Sequence, residues 1–325
     1  MGGGDCSTIG NVRLSYGSAL EIGLVKGRAS QSTTTLYIFL VKERCRGACG
    51  FCPQPLGIRD RISRVEWIEF SLPKVLERLD RNKGIQRVCI QCAEEPGISD
   101  DAAALAEAIS STGLPISVST SPIPKDEMVR LRRAGVDILT IPIDCANREL
   151  IRRVKGKDLE DVLCALRDAV EVFGLGKVGT HIIIGLGESE KEAVELIQYT
   201  FNMGVIPSLF AFTPIRGTPL EGRPRPTIMS YRRIQLARHL IVEMGAVSAE
   251  FEFGDEGRIT GIRCDKSALE RAITDWRAFT VRGCPGCNRP YYNEGPRGPF
   301  YNCPSEEEGR KAAKEVMWCG QDKGD

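Results

Sequence analysis

Short apolar runs alternate along this chain with longer stretches of helical period. β-Prone runs fall at 36–41 (LYIFLV), 88–91, 116–119, 138–143, 178–184 and 209–212. Apolar positions recur every three to four residues at 101–110, 125–133, 159–172, 190–202 and 231–244, and Gly174 closes the third of these. Buried strands alternating with amphipathic helices predict βα units on a parallel sheet. Six such units predict an α/β fold, an open (β/α)6 barrel of TIM type. The pattern changes after Gly245. Residues 249–253 read as one more strand and 268–275 as a helix, while 283–304 is dense in Gly, Pro, Asn and Tyr and carries three cysteines. That stretch predicts an irregular segment held by something other than an apolar core. The expected organisation is an N-terminal extension at 1–34, a barrel core at 35–245 and a Cys-containing C-terminal extension at 246–325.

Composition narrows the chemistry. Lys and Arg number 44 against 43 Asp and Glu, so bulk charge gives no case for a nucleic-acid partner. No apolar run approaches the roughly 18 residues of a membrane span. The start shows no charged-then-apolar leader, and Cys6 stands where a myristoylation signal requires Ser or Thr. A cytoplasmic protein with no membrane partner is expected. There are 13 cysteines, an odd number, so a fully paired disulfide framework is excluded; in a reducing compartment thiols bind metal or react. With only His181 and His239 available, metal chemistry must run on thiolates.

Cys45, Cys49 and Cys52 form a C-x3-C-x2-C motif on the loop that leaves the first strand, at the end where (β/α) barrels build their sites. Gly47 and Gly50 let this loop wrap closely, and Arg44 and Arg46 favour ionised sulfur. Three thiolates can hold a [4Fe–4S] cluster with one iron left open to a substrate. A zinc site and three unrelated buried thiols are the plain alternatives. The motif and its position resemble the radical S-adenosylmethionine (SAM) superfamily, including the aromatic Phe51 before the last cysteine. That resemblance implies a cluster whose open iron binds SAM and a 5′-deoxyadenosyl radical that takes hydrogen from an unactivated C–H bond. It further implies SAM contacts from Glu95 in Ala93-Glu-Glu-Pro96, from Asp144 after the fourth strand, and from Gly185 and Glu188 in Ile183-Ile-Gly-Leu-Gly-Glu188. Ala93 and Glu94 stand where relatives often carry glycines.

The second cysteine group is Cys284-Pro-Gly-Cys287, followed by Cys303 and Cys319. It reads as an auxiliary iron–sulfur cluster on Cys284, Cys287 and Cys303, with Cys6, Cys264 and Cys319 as further candidates. A zinc knuckle used as a non-catalytic scaffold is the alternative. Auxiliary ligands of the biotin-synthase kind would fall on barrel strands. Cys89 occupies one such place, but Ser117 and Gly179 occupy the other two, so a cluster of that kind is not expected. Cys89, Cys92, Cys145 and Cys164 read as core residues.

Ala48-Cys-Gly-Phe-Cys-Pro-Gln54, Thr180 to Glu188, Phe210 to Thr218, Tyr231 to Arg238 and Cys284 to Asn293 resemble archaeal biotin-synthase-related proteins, whose members form two-protein lipoyl synthases. The resemblance implies a sulfurtransferase. It would insert sulfur from the auxiliary cluster at C6 or C8 of an octanoyl-lysyl group on a carrier, either a lipoyl domain or a glycine-cleavage H-like protein. A second related radical SAM protein and an electron donor are the other implied partners. Another radical SAM enzyme, biotin-synthase-like or with an electron-relay or substrate-binding second cluster, stays open.

Overall fold

A computed structural model describes residues 9–290, 292, 294, 295 and 297–316. The chain begins with β1 (Asn11–Ser15) and α1 (Tyr16–Glu21), then β2 (Thr35–Leu40), β3 (Arg61–Ile62), β4 (Val65–Ser71) and α2 (Leu72–Arg81). The alternating part follows: β5 (Arg87–Cys92), α3 (Ile98–Ser110), β6 (Ile116–Ser119), α4 (Lys125–Arg133), β7 (Val136–Thr140), α5 (Arg148–Lys155) and α6 (Leu159–Phe173). It continues through β8 (Val178–Ile184), α7 (Glu190–Asn202), β9 (Val205–Ala211) and α8 (Ile228–Met244). A two-stranded sheet of β10 (Phe251–Phe253) and β11 (Ile259–Ile262) comes next, then α9 (Lys266–Thr274) and α10 (Glu306–Glu315).

The main sheet has nine strands in the order β3-β4-β1-β2-β5-β6-β7-β8-β9. The six predicted strands are its parallel part, β2 and β5 to β9 in sequence order. β1, β4 and β3 extend it antiparallel from β2. Residues from β2 at one end and β9 at the other line one cavity, so the sheet curls into a half-barrel. β9 begins at Val205 rather than at 209, because Pro207 and Ser208 mask its start; Pro is tolerated there, since β9 is the sheet edge.

Strand alternation divides the side chains between two environments. Leu36, Ile38, Val88, Ile90, Ile116, Val118, Leu139, Ile182 and Leu209 pack outward into the main core against the helices. Tyr37 and Phe39 instead face a smaller inner cluster with Trp67 and Ala93. The inward positions of the later strands are mostly small or polar: Cys89, Ser117, Ser119, Thr140, Gly179, His181 and Ser208. A barrel of this type is usually filled by bulky branched side chains. Here the inner face leaves a lumen.

Local signals place the helices. Ser189 and Glu192 form a capping box on α7, Asn147 caps α5, and Gly156 ends α5 in a left-handed conformation. Among the described residues no helix is long and apolar enough to cross a membrane.

Candidate active site

The cysteine loop is anchored at several points. Arg46 donates its backbone N–H to the Glu94 carbonyl at 2.7 Å, Gly50 donates to the Val154 carbonyl at 2.8 Å, and Leu220 donates to the Gly50 carbonyl at 3.1 Å. The loop is thereby tied to the β5 exit, the last turn of α5 and the segment after β9. Its three thiols line a cavity of about 210 Å³ at the C-terminal mouth of the lumen, with Glu94, Asp144, Lys155, His181, Phe210, Phe212, Arg289 and Tyr292 among the walls.

The donor set fits a thiolate-bound cluster. Asp144 pairs with Lys155 at 2.7 Å, both side chains nearly inaccessible, and Glu94 pairs with Lys157 at 2.8 Å. The carboxylates are neutralised by these lysines, so the thiols are the ligands on offer. A Cβ on Gly47 would touch the Cys45 sulfur at 3.4 Å. Burial pushes the Cys49 thiol up to about 11, against the pull of Lys155, and pushes Cys52 up to about 12. Such thiols ionise at neutral pH when a metal cation binds them. Among the described residues no three His, Cys, Asp or Glu side chains converge on one metal ion. A multi-iron cluster spreads its thiolates over separate irons and needs no such convergence.

The predicted SAM residues divide. Asp144 lies on the cavity wall. It follows β7 with a left-handed φ of 61°, its backbone bonded to His181 and Ile183 of β8. Lys155 keeps its charge: burial alone would lower its pKa, but Asp144 and Cys49 raise it. Glu95 is turned away from the cavity; its carboxylate accepts from the backbone N–H groups of Lys42 at 3.1 Å and Glu43 at 2.8 Å, at the start of the cysteine loop. Glu94 takes the wall position, accepting from Lys157 and, at 2.7 Å, from the Ser121 hydroxyl. Those contacts outweigh burial and hold its carboxyl below the usual range. Glu188 folds back onto the N–H groups of Gly185, Leu186 and Gly187 at 2.5–3.0 Å. Gly185 and Glu188 line a separate surface pocket with Arg223 and Pro226.

The second cysteine group lies at the opposite end of the lumen. Cys284 and Cys287 line a small cavity of about 60 Å³ with Cys89, Thr140, Gly179, Ser208 and Arg289. Burial pushes Cys284 up to about 12, reinforced by the nearby Cys89 and Cys287. Cys303 lies elsewhere. It bridges to Thr280, and its sulfur stands 3.8 Å from Arg232 of α8, which also donates to the Tyr301 carbonyl at 2.6 Å. Cys6 and Cys319 lie outside the described residues. Cys264 lies near Glu250 and Asp265, beyond either cavity. The core reading holds for Cys145, which is fully buried, but Cys164 is exposed on α6. Cys89 faces the lumen.

Arg289 lies between the two cavities. It lines both cavities, and its guanidinium lies 4.6 Å from the Tyr292 ring, 5.0 Å from Tyr37 and 5.3 Å from Phe210. Lys155 and Lys157 carry no local sequence signal, and neither the role of Arg289 nor the lumen-facing side chain of Cys89 is marked by its neighbours. The alternation of apolar outward and polar inward positions within β5, β6 and β8 was the available clue.

Comparison with known proteins shows the family. Residues 40–200 match the Radical SAM superfamily model, and this chain carries a radical SAM domain there. It is related to biotin synthases: one from Paramagnetospirillum magneticum is 28% identical over 210 residues, 60% of this chain and 61% of that protein. An uncharacterised protein of Methanocaldococcus jannaschii is 31% identical over 121 residues, 35% of this chain and 31% of its own length. The match thus spans about three fifths of the former and a third of the latter. The crystal structure of methylornithine synthase superposes with a TM-score of 0.51 at 20% identity, over 65% of this chain and 62% of that one, and so shares the fold.

Proposed function

We propose that this protein is a radical SAM sulfurtransferase, a lipoyl synthase component that inserts sulfur at C6 or C8 of an octanoyl-lysyl group on a carrier protein. The observation that carries the reading is the pair of thiol groups in two neighbouring cavities inside the barrel, with Ser119, His181, Phe210 and Arg289 on the walls of both. A substrate lying between them would have hydrogen removed at one end and sulfur delivered from the other. When bound, the [4Fe–4S] cluster and SAM supply the radical, and an auxiliary cluster serves as the sulfur substrate.

The chain's own residues hold and shield. Cys45, Cys49 and Cys52 would hold the first cluster. The Asp144–Lys155 and Glu94–Lys157 pairs set fixed charge beside it for the polar groups of SAM. Phe39, Phe210, Phe212 and Tyr292 give the lumen apolar walls suited to an acyl chain and to excluding water. A second related radical SAM protein and an electron donor would complete the system.

The test is mass spectrometry of an octanoyl-lysyl peptide incubated anaerobically with protein, SAM and reductant, with and without a related partner protein. Sulfur added to the peptide supports the reading. Cleavage of SAM without sulfur on the peptide would contradict it. The names of the relatives favour a second reading, biotin synthase, which predicts sulfur in free biotin and none on the peptide.

A further inference from the structure

We propose that Cys89, Cys284 and Cys287 together form the ligand set of the second iron–sulfur cluster, inside the barrel, and that Cys303 takes no part in it. The proposal rests on the reading that the chain holds a second cluster, and it assigns that cluster a place and a third ligand.

Strand geometry supplies Cys89. In β5 it pairs in register with Tyr37 of β2 and Ser117 of β6, and it shares the inner cluster with Tyr37 while its neighbours Val88 and Ile90 point outward. The chain supplies the other two thiols from across the opening. The turn from Cys284 closes with the Cys287 N–H on the Cys284 carbonyl at 3.1 Å, and Gly286 takes the left-handed conformation the turn needs. Residues 285–289 are fastened over the N-terminal mouth of the barrel. The Thr34 hydroxyl donates to the Gly286 carbonyl at 2.5 Å, and Asn288 bonds both to the Thr34 N–H at 3.1 Å and to the Ser32 carbonyl at 2.8 Å. Arg87 donates to the Pro285 carbonyl at 3.1 Å, and Arg289 donates its N–H to the Tyr37 hydroxyl at 3.1 Å.

These contacts set a specific chemistry. All three thiols line one small cavity, and among the described residues no carboxylate lines it. The Tyr37 hydroxyl lies 3.1 Å from the Cys287 sulfur, and the Arg289 cation stands beside it to balance thiolate charge. Soft sulfur donors and an adjacent cation, with no carboxylate among the lining residues, select an iron–sulfur cluster over a hard cation. Cys303 is fixed against α8 by Arg232 and borders neither cavity.

The test is anaerobic reconstitution of the full chain with iron and sulfide, for wild type, Cys89→Ser, Cys284→Ser and Cys303→Ser. It is read by iron and acid-labile sulfide content and by Mössbauer spectra. The first cluster's spectrum in each variant serves as the check that it has folded. Cys89→Ser and Cys284→Ser should fall alike to the first cluster alone, about four irons per chain, while Cys303→Ser keeps the wild-type content. Cys89→Ser with wild-type content, or Cys303→Ser with the second cluster lost, would overturn the assignment. A wild-type chain that takes up the first cluster only would overturn the second-cluster reading itself.

Discussion

Cys49 and Cys52 are half-buried thiols whose ionisation depends on a metal, and Cys287 lines a separate cavity of the same barrel. The roles of the two groups should therefore separate. Cys49→Ala should abolish SAM cleavage. Cys287→Ala should keep abortive 5′-deoxyadenosine formation and lose sulfur transfer. Identical failure of both at the cleavage step, measured by chromatography of 5′-deoxyadenosine, would contradict the division. His181 gives a pH signature. Burial first, then the cations Arg289 and Lys155, hold its imidazole down to about 3. Between an unfolded-state value of about 6.5 and that folded value, only the unfolded chain takes up the proton, so stability falls as pH falls through this window. From pH 6.5 to 5 the loss is at most roughly 2 kcal/mol. His181→Phe keeps an aromatic ring beside Phe210 and cannot titrate. Urea titrations should show a shallower acid loss for this variant, and an unchanged slope would mean another group is responsible.

At the scale of elements, the parallel strands and their helices were legible because short apolar runs and helical periods differ plainly. β4 was not, since V-E-W-I-E-F-S alternates polar and apolar residues as a half-solvated antiparallel strand does. α5 was hidden by its length of eight residues, R-E-L-I-R-R-V-K, too short for its period to stand out, yet it supplies Lys155. The motif around Gly185 was legible as sequence, but its placement was not. Glu188 satisfies the local N–H groups and keeps the turn closed on itself. Gly185 has φ +106°, and a Cβ there would stand 2.7 Å from the Pro226 ring. Gly185→Ala should therefore cost about 1–3 kcal/mol, read as a lowered urea midpoint, while the first cluster's iron content stays at wild type.

At the scale of the molecule, the second site exists only through tertiary closure. A cysteine inside an apolar strand reads as core, and nothing near Cys89 in sequence indicates that residues 284–287 fold back across the barrel mouth. The link is Arg87, which is buried in β5, bonded to both Asp137 oxygens at 2.6 and 3.0 Å, and bonded to Pro285. Arg87→Ala should cost roughly 2–3 kcal/mol and lower retention of the second cluster while sparing the first. Equal loss of both clusters, followed by iron analysis after gel filtration, would show the closure to be less local than this. The central claim is that the second site supplies the sulfur for a substrate activated at the first. Its most direct test is a single turnover with protein reconstituted in isotopically heavy sulfide, followed by mass spectrometry of the octanoyl-lysyl product. Heavy sulfur in the peptide, matched by loss of sulfide from the protein, is the predicted result. Consumption of SAM with an unmodified peptide and full retention of heavy sulfide would contradict it.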